Sequence, residues 1–167
     1  MTFAQSVKTC LRKYFTFSGR ASRSEYWWFT LFCLLGGLIA SALEALINGL
    51  SGTPDGPTLL SLAFNIATFI PGIAVGFRRM HDTGRSGLYL FYPAIAIIGL
   101  MTFIGLFSPS DSLTPETFTF PEGIVGTITM LAVIIVLLSP FIVIWWLTRP
   151  SQPGQNRYGP NPHEVLQ

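Results

Sequence analysis

The sequence contains few charged residues. Only 11% of its 167 residues are Asp, Glu, Lys or Arg, whereas hydrophobic residues make up 50% and aromatic residues 14%. An average soluble domain carries roughly 25% charged residues, so this composition argues against a water-soluble domain. It is typical of a protein embedded in a lipid bilayer.

Residues suited to metal binding or nucleophilic chemistry are also scarce. The chain has two cysteines and two histidines, and no pair of them has the spacing of a metal site. The sequence has no glycine-rich nucleotide motif and no nucleophile elbow. Cys10 precedes the first apolar segment and Cys33 lies within it, so we expect no disulfide. We predict a protein that is not an enzyme, with no catalytic residue, metal or cofactor and no nucleic-acid partner.

Four apolar segments are long enough to cross a membrane. They cover about residues 26–47, 59–77, 88–107 and 124–147, each near the roughly 20 residues that a helix needs to span the hydrocarbon core. Because little chain is left for a soluble domain, we predict one all-α membrane domain over residues 1–167, an integral membrane four-helix bundle with a tail at 148–167. The alternative for the first segment is a signal peptide cleaved near Ala40-Ser41-Ala42, which resembles a cleavage site. Against it, about 26 residues precede the segment and three more spans follow.

The basic residues are confined to one side of these spans. All ten lie before the first span, between the second and third, or after the fourth, and the positive-inside rule assigns such segments to the cytoplasm. The loops at 48–58 and 108–123 contain no Lys or Arg. All four tryptophans lie at the same helix ends as the basic residues, where indoles favour the headgroup level. We therefore predict that both termini are cytoplasmic.

The segment before the first span is amphipathic. As a helix over residues 3–17, it would place Phe3, Val7 and Leu11 on one face and Lys8 and Arg12 on another. A helix with this pattern lies flat in the membrane interface. The alternative is a short helix packed on the protein's own cytoplasmic surface.

The first membrane helix has a start signal. Ser22 and Glu25 have the spacing of a capping box, in which Ser22 accepts from the amide of Glu25 and Glu25 reaches back to the amide of Ser22. We therefore expect the helix to begin near Ser22. A carboxylate in the first turn is also favoured by the helix dipole, which gives Glu25 a purely structural role.

The stretch RRMHDTGRSG, residues 78–87, places three arginines, a histidine and an aspartate between two apolar spans. Asp82 follows Arg79 by three residues and Arg78 by four, so one helical turn would pair them. Gly84 and Gly87 permit a turn. These features suffice for a polar loop between two membrane helices. A binding site would require other polar motifs of the chain to lie close to this stretch.

Three stretches together resemble a known family. FSGRASRSEYWWFTLF (17–32), RRMHDTGRSG (78–87) and PGQNRYGPNP (153–162) are similar in order and sequence to the domain-of-unknown-function 805 family. The resemblance implies a four-span bacterial inner-membrane protein, and it implies no reaction, because none is assigned to that family. One departure is Leu88, since the position after RSG is often aromatic in the family.

All three stretches meet the predicted cytoplasmic face, where their polar side chains would gather. The candidate residues for binding an anion or a partner are Arg20, Arg23, Glu25, Arg78, Arg79, His81, Asp82, Arg85 and Arg157. Arginine forks bind phosphate bidentately, and basic pockets at cytoplasmic helix ends bind anionic headgroups. We expect anionic membrane lipids or a partner protein to bind there. The alternative is that orientation and structural salt bridges account for these residues.

Glu44 is the one formally charged residue inside the predicted spans, and Asn65 lies at a similar depth, placed to hydrogen-bond it. Intramembrane ionisable residues are functional candidates, so an alternative function is a small oligomeric transporter or channel that uses Glu44. The small residues Gly37, Ser41 and Ala45 allow close helix packing. That packing would occur within a hairpin or in a homo-oligomer.

Overall fold

The computed structural model of the chain describes residues 1–53, 56–107 and 123–164. These residues form α1 (Phe3–Arg12), α2 (Arg23–Leu50), α3 (Leu59–Asp82), α4 (Tyr92–Phe107) and α5 (Gly123–Thr148), with a short 3₁₀ helix at Gly87–Phe91. The described part contains no strand beyond an isolated bridge between Asn156 and Gly159. Of the predicted loops, residues 108–122 and Pro54 and Asp55 lie outside the described residues.

Four helical segments are long and apolar enough to cross a membrane. They are Arg23–Leu50, Leu59–Asp82, Gly87–Phe107 and Gly123–Thr148. The predicted all-α class with four membrane-spanning helices is therefore confirmed, and the chain is a multi-pass membrane protein. All four segments extend past the predicted limits, the third by a single residue. Helix α3 carries the first half of RRMHDTGRSG as helix.

The predicted helix over residues 3–17 is wrong at its C-terminal end, because α1 ends at Arg12. The chain then turns toward α3. The Tyr14 hydroxyl donates to the carbonyl of Ala67 at 2.9 Å, and the Phe17 ring meets Phe77 edge-on at 5.4 Å. These contacts with α3 replace the last turn of the predicted helix.

The chain divides into two compact units. One comprises Met1–Gly87 with Arg149–Gln167, and the other comprises Leu88–Thr148. In the second unit α4 packs on α5, and the rings of Tyr89 and Trp146 lie 5.4 Å apart. The single membrane domain stays a prediction.

In the first unit, α2 and α3 form an antiparallel hairpin. Gly36 of α2 faces the ring of Phe64 so closely that a side-chain carbon at Gly36 would overlap it. Gly36 thus allows close packing within the hairpin, whereas Ser41 and Ala45 of the predicted small-residue stripe are exposed. At one end of the hairpin the backbone amide of Ala21 donates to the carbonyl of Arg78 at 3.0 Å, which joins the chain before α2 to the last turns of α3.

Glu44 lies at the opposite end of this hairpin. Its carboxylate accepts from the backbone amide of Leu60 and, at 2.5 Å, from the Ser61 hydroxyl. Thr58, the N-cap residue of α3, makes no side-chain capping bond, so Glu44 supplies the acceptor for this helix start. The predicted hydrogen bond between Glu44 and Asn65 does not form, because Glu44 is level with the first turn of α3 and Asn65 lies further along it.

Helix α1 packs on α2. Ser6 and Cys10 are its buried residues, and Phe3 contacts Trp28 edge-on at 5.9 Å. Phe3 and Leu11 nevertheless remain 40% and 43% exposed. One face of the helix therefore packs on the protein, and apolar side chains remain exposed on another face.

Candidate functional site

Five of the predicted site residues form one buried cluster where α2 begins and α3 ends. Arg20 Nε lies 2.8 Å from one carboxylate oxygen of Asp82, and Arg79 pairs with the other oxygen. Arg78 Nη1 lies 2.5 Å from Glu25 Oε1. Each of these side chains is at least nine-tenths buried. We call Arg20, Glu25, Arg78, Arg79 and Asp82 the arginine network.

The local fold explains these pairings. Ser22 caps α2 by accepting from the amide of Glu25 at 3.2 Å, as the capping box predicts. The reciprocal half of the box does not form, because the Glu25 carboxylate binds Arg78 instead. The predicted pair between Arg79 and Asp82 is confirmed. The predicted pairing of Arg78 with Asp82 is wrong, because neighbouring side chains on a helix point about 100° apart and Arg78 faces α2.

The tail after α5 folds onto the network through its backbone. Arg20 donates from Nη1 to the carbonyl of Gly154 at 2.7 Å and from Nη2 to that of Gln152 at 2.5 Å. The Ser151 hydroxyl donates to Asp82 at 2.5 Å, and Arg79 donates to the carbonyl of Arg149. The sequence stretch PGQNRYGPNP thus joins the other two motifs, as the interpretation required.

Sequence reasoning missed most of these tail contacts. A backbone carbonyl accepts a hydrogen bond whatever side chain its residue carries, so Gln152 and Arg149 gave no compositional signal. The one available signal was glycine. Gly154 and Gly159 have φ of 64° and 133°, a region that side-chain-bearing residues rarely occupy, and the resulting turns aim carbonyls at Arg20.

His81 and Arg157 lie at the edge of the network. The His81 ring stacks on Tyr158 at 3.9 Å with a 6° interplanar angle, and its Nδ1 donates to the carbonyl of Gly19 at 3.1 Å. Arg157 is exposed, with its guanidinium 4.7 Å from the centre of the Tyr158 ring. Arg157 also donates to the carbonyl of Gly84 at 3.4 Å.

The remaining candidates lie outside the network. Arg85 donates to the carbonyl of Thr83 at 3.2 Å. Arg23 is exposed and forms no ion pair within the described residues. The nine predicted site residues therefore fall into a buried network with His81 beside it, and a more accessible set of Arg23, Arg85 and Arg157.

Burial decides what the network can do. Arg78 and Arg79 are 1% and 0% exposed, so neither presents a donor at the protein surface. Removing one partner of a buried ion pair typically costs about 3–5 kcal/mol, because the other charge is left uncompensated. The network therefore fixes the end of the hairpin and the tail to each other, and surface contacts with a headgroup fall to the exposed cations.

A cleft opens beside the network. It measures about 640 Å³, and its lining includes Thr9 and Lys13 of the α1 segment, Arg20, Glu25 and Tyr158. Cys10 is buried behind it, with Sγ 3.9 Å from Glu25 Oε1. Burial, and then the charge of Glu25, raises the pKa of the Cys10 thiol to about 12, so this thiol is protonated at neutral pH. Among the described residues, no group of three or more His, Cys, Asp or Glu side chains is arranged to hold a metal ion.

Comparison with known proteins connects this architecture to a family. The family described as "Protein of unknown function (DUF805)" matches residues 14–160. Inner membrane protein YhaI of Escherichia coli strain K12 is 43% identical over 96 residues, 56% of this chain and 76% of the relative. Inner membrane protein YhaH of the same strain is 28% identical over 152 residues, 91% of each chain. No solved structure matches the chain. Since the family match covers the first two motifs and residues 153–160 of the third, the chain belongs to the DUF805 family, as its sequence resemblance predicted.

Proposed function

We propose that the chain is an inner-membrane protein with both termini in the cytoplasm, and that α1 and the start of α2 bind anionic phospholipid headgroups there. The observation that carries the proposal is the exposed side of α1. Lys8 and Arg12 are exposed on this helix together with Phe3 and Leu11. Basic and apolar side chains side by side on one helix are the pattern of a membrane-surface helix.

The packing of α1 on α2 supports an orientation in which the exposed face of α1 meets the membrane interface. Ser6 and Cys10 are turned toward α2, which leaves Leu11 and Lys8 on the part of the circumference that the protein does not cover. In the membrane interface, Leu11 would insert at the boundary of the acyl chains and Lys8 would contact the lipid phosphates. The segment before α2 can therefore be both an interfacial helix and a helix packed on the protein, because packing one face of α1 leaves apolar side chains exposed on another.

The first turns of α2 extend the same surface. Arg23 is exposed, and Trp27 and Trp28 are exposed one turn further along. Indoles favour the headgroup level. Within the described residues, Lys8, Arg12 and Arg23 form no ion pair with a carboxylate, so their charges are available to phosphate. Each basic residue near an anionic leaflet contributes about 1 kcal/mol of attraction.

The proposed location in the inner membrane rests on the relatives. The proposed orientation, with both termini in the cytoplasm, rests on the distribution of the basic residues. Both YhaI and YhaH are named inner membrane proteins. All ten basic residues lie in the three segments assigned to one side of the membrane, and that side is the cytoplasm under the positive-inside rule. The cytoplasmic leaflet carries a negative surface potential, which matches the exposed cations of α1 and α2.

Native mass spectrometry of the gently extracted full chain tests the proposal. We expect wild type to retain anionic phospholipid, and the triple variant Lys8→Gln, Arg12→Gln, Arg23→Gln to retain far less. Three lost charges at about 1 kcal/mol each weaken the attraction by roughly 100-fold at low salt. The matched control is Lys8→Arg, Arg12→Lys, Arg23→Lys, which preserves the charge and is expected to retain lipid as wild type does.

Two outcomes would overturn the proposal. One is equal retention of anionic lipid by wild type and the triple-Gln variant at the same ionic strength. The other is unchanged lipid accompanied by loss of a co-purifying protein from the triple-Gln variant, which would assign the exposed cations to a protein partner.

A further inference from the structure

A second cleft lies where the loop after α3 meets the first residues of the tail, and we call it the tail cleft. It measures about 290 Å³, and all of its lining residues belong to the first compact unit. The loop and the tail both contribute to this lining, with Thr83, Arg85, Arg149, Pro150, Ser151, Gln152 and Pro153. The charged side chains among them are both arginines.

The lining of the tail cleft is positively charged. It contains Arg85 and Arg149 and no Asp or Glu. The carboxylate of Asp82 is fully buried, and its charge is compensated because it pairs with Arg20 and Arg79. A ligand in the cleft therefore meets two guanidinium groups and no carboxylate of the lining. Such a charge distribution attracts an anion.

The two arginines are accessible, unlike those of the arginine network. Arg149 is exposed and Arg85 is half-buried. Arg85 donates from Nη1 to the carbonyl of Thr83 at 3.2 Å, which holds its guanidinium at the loop. A guanidinium has several N–H donors in a planar fork, so Arg85 can keep this contact and also bind an oxyanion. Since both side chains line the same small cleft, one ligand can contact both.

Backbone contacts join the two segments that carry these arginines. The amide of Gln152 donates to the carbonyl of Asp82 at 3.1 Å, and the side chain of Arg79 donates to the carbonyl of Arg149. The tail therefore lies against the end of α3 before any ligand binds. A site assembled in advance loses less conformational entropy on binding, which favours affinity.

Gln152 adds a neutral donor to the lining. Its Oε1 accepts from the side-chain amide of Asn156 at 3.0 Å, which leaves the side-chain nitrogen of Gln152 as a donor. Guanidinium groups bind phosphate oxygens through charge-assisted hydrogen bonds, often in pairs. A volume of about 290 Å³ is near the lower limit of small-molecule sites, so it suits a phosphate group with a small substituent.

We propose that the tail cleft binds a phosphate group through Arg85 and Arg149, with Gln152 as a further donor. The phosphate belongs either to a phospholipid headgroup or to a soluble phosphate ester. Arg149 directly follows α5, and Arg85 shortly precedes the third membrane-spanning segment. Both arginines thus adjoin the ends of membrane spans, where basic pockets bind lipid headgroups.

This site is separate from the lipid surface of α1 and the start of α2. Lys8, Arg12 and Arg23 do not line the tail cleft, and the proposal for the cleft does not rest on them. The triple variant Lys8→Gln, Arg12→Gln, Arg23→Gln should therefore keep the wild-type response to phosphate. Failure of the one proposal is thus distinguishable from failure of the other.

The first test measures phosphate binding by the full chain in micelles of a maltoside detergent, which contains no phosphate group. Thermal unfolding and calorimetry are recorded with inorganic phosphate and with chloride at equal ionic strength. We expect phosphate to stabilise wild type saturably and chloride to have no such effect, because only phosphate offers oxygens to both arginines.

The variants Arg85→Gln and Arg149→Gln test the two arginines separately. Each removes one guanidinium from the cleft, so each should bind phosphate about tenfold more weakly, as expected for a lost charge-assisted hydrogen bond. Arg157→Gln is the matched control, since it removes an exposed arginine of the tail that lies outside the cleft. It should bind phosphate as wild type does. If Arg85→Gln does not fold, Arg149→Gln decides, because that side chain is exposed.

The proposal is overturned if wild type shows no saturable response to phosphate beyond that to chloride. It is also overturned if folded Arg85→Gln or Arg149→Gln binds phosphate as Arg157→Gln does. Nanodiscs that contain phosphatidylglycerol distinguish the two sources. Loss of the response to free phosphate there assigns the site to the lipid headgroup, and a persistent response assigns it to a soluble ester; either result supports the site.

Discussion

Arg78 and Arg79 are adjacent in the sequence and serve different partners. Arg79 pairs with Asp82 three residues later, a contact that helical spacing predicts from sequence alone. Arg78 pairs with Glu25, which is 53 positions earlier in the chain. No local rule connects those two positions, so only the packing of α2 against α3 reveals the pair. At the residue scale, contacts within one helix were predictable and contacts between helices were not.

Cys10 gives a prediction at this scale. Raising its pKa from 9.0 to about 12 lowers its thiolate fraction at pH 8 by roughly 1000-fold. Because the thiolate is the reactive form, and Cys10 is fully buried, we expect iodoacetamide to label it at least that much more slowly than a free thiol. Mass spectrometry of the Cys33→Ser variant measures the rate at Cys10 alone.

The pH dependence of labelling follows from the same shift. Between pH 7 and 9 the folded protein should remain almost unlabelled, because the thiolate becomes abundant only as the pH approaches 12. The control is the same variant unfolded in denaturant, which should react at the free-thiol rate. Rapid labelling of the folded protein at pH 8 would contradict the buried position of Cys10 beside Glu25.

Helix starts and ends are where the elements differ from their predicted form. The N-cap at Ser22 was predictable, since it depends on a residue type next to the helix it caps. The cap of α3 comes from Glu44 on another helix, and no sequence pattern near Thr58 indicates it. The early end of α1 has the same kind of cause, because Tyr14 and Phe17 gain contacts on α3.

The cap on α3 predicts the effect of changing Glu44. Glu44→Ala leaves the first amides of α3 without their acceptor, so we expect it to lower the free energy of unfolding measurably. Glu44→Gln keeps one acceptor oxygen and should cost less. Unfolding in mixed detergent micelles, followed by circular dichroism, measures both.

Ser61→Ala serves as the control for Glu44, since it removes one hydrogen bond and leaves the carboxylate on the amide of Leu60. Its cost should be smaller than that of Glu44→Ala. Wild-type stability in Glu44→Ala would contradict the capping role. If Glu44→Gln inserts normally but a proton-coupled flux is lost, the transporter alternative would account for Glu44 instead.

For the whole molecule, composition and hydropathy predicted the class and the four spans, because crossing a bilayer demands long apolar helices whatever their partners are. The docking of the tail was not predictable to the same degree. In these contacts Arg20 and Arg79 donate to backbone carbonyls, those of Gln152, Gly154 and Arg149. Every residue has a backbone carbonyl, so the amino-acid composition does not indicate which of them accept. The family resemblance indicated that the tail motif mattered, and the hydrogen bonds explain how it is held.

Topology is the prediction that concerns the entire chain. The proposed orientation rests on the confinement of all ten basic residues to three segments. A reporter fused after Gln167 or inserted at Arg85 should therefore read cytoplasmic, and one inserted at Pro54 or Pro115 should read external. Charge-neutral insertions at the same four sites control for disturbance of the spans. External signal at Arg85 or cytoplasmic signal at Pro54 would invert the hairpin of α2 and α3 and move the exposed cations of α1 away from the leaflet whose negative potential they are proposed to meet.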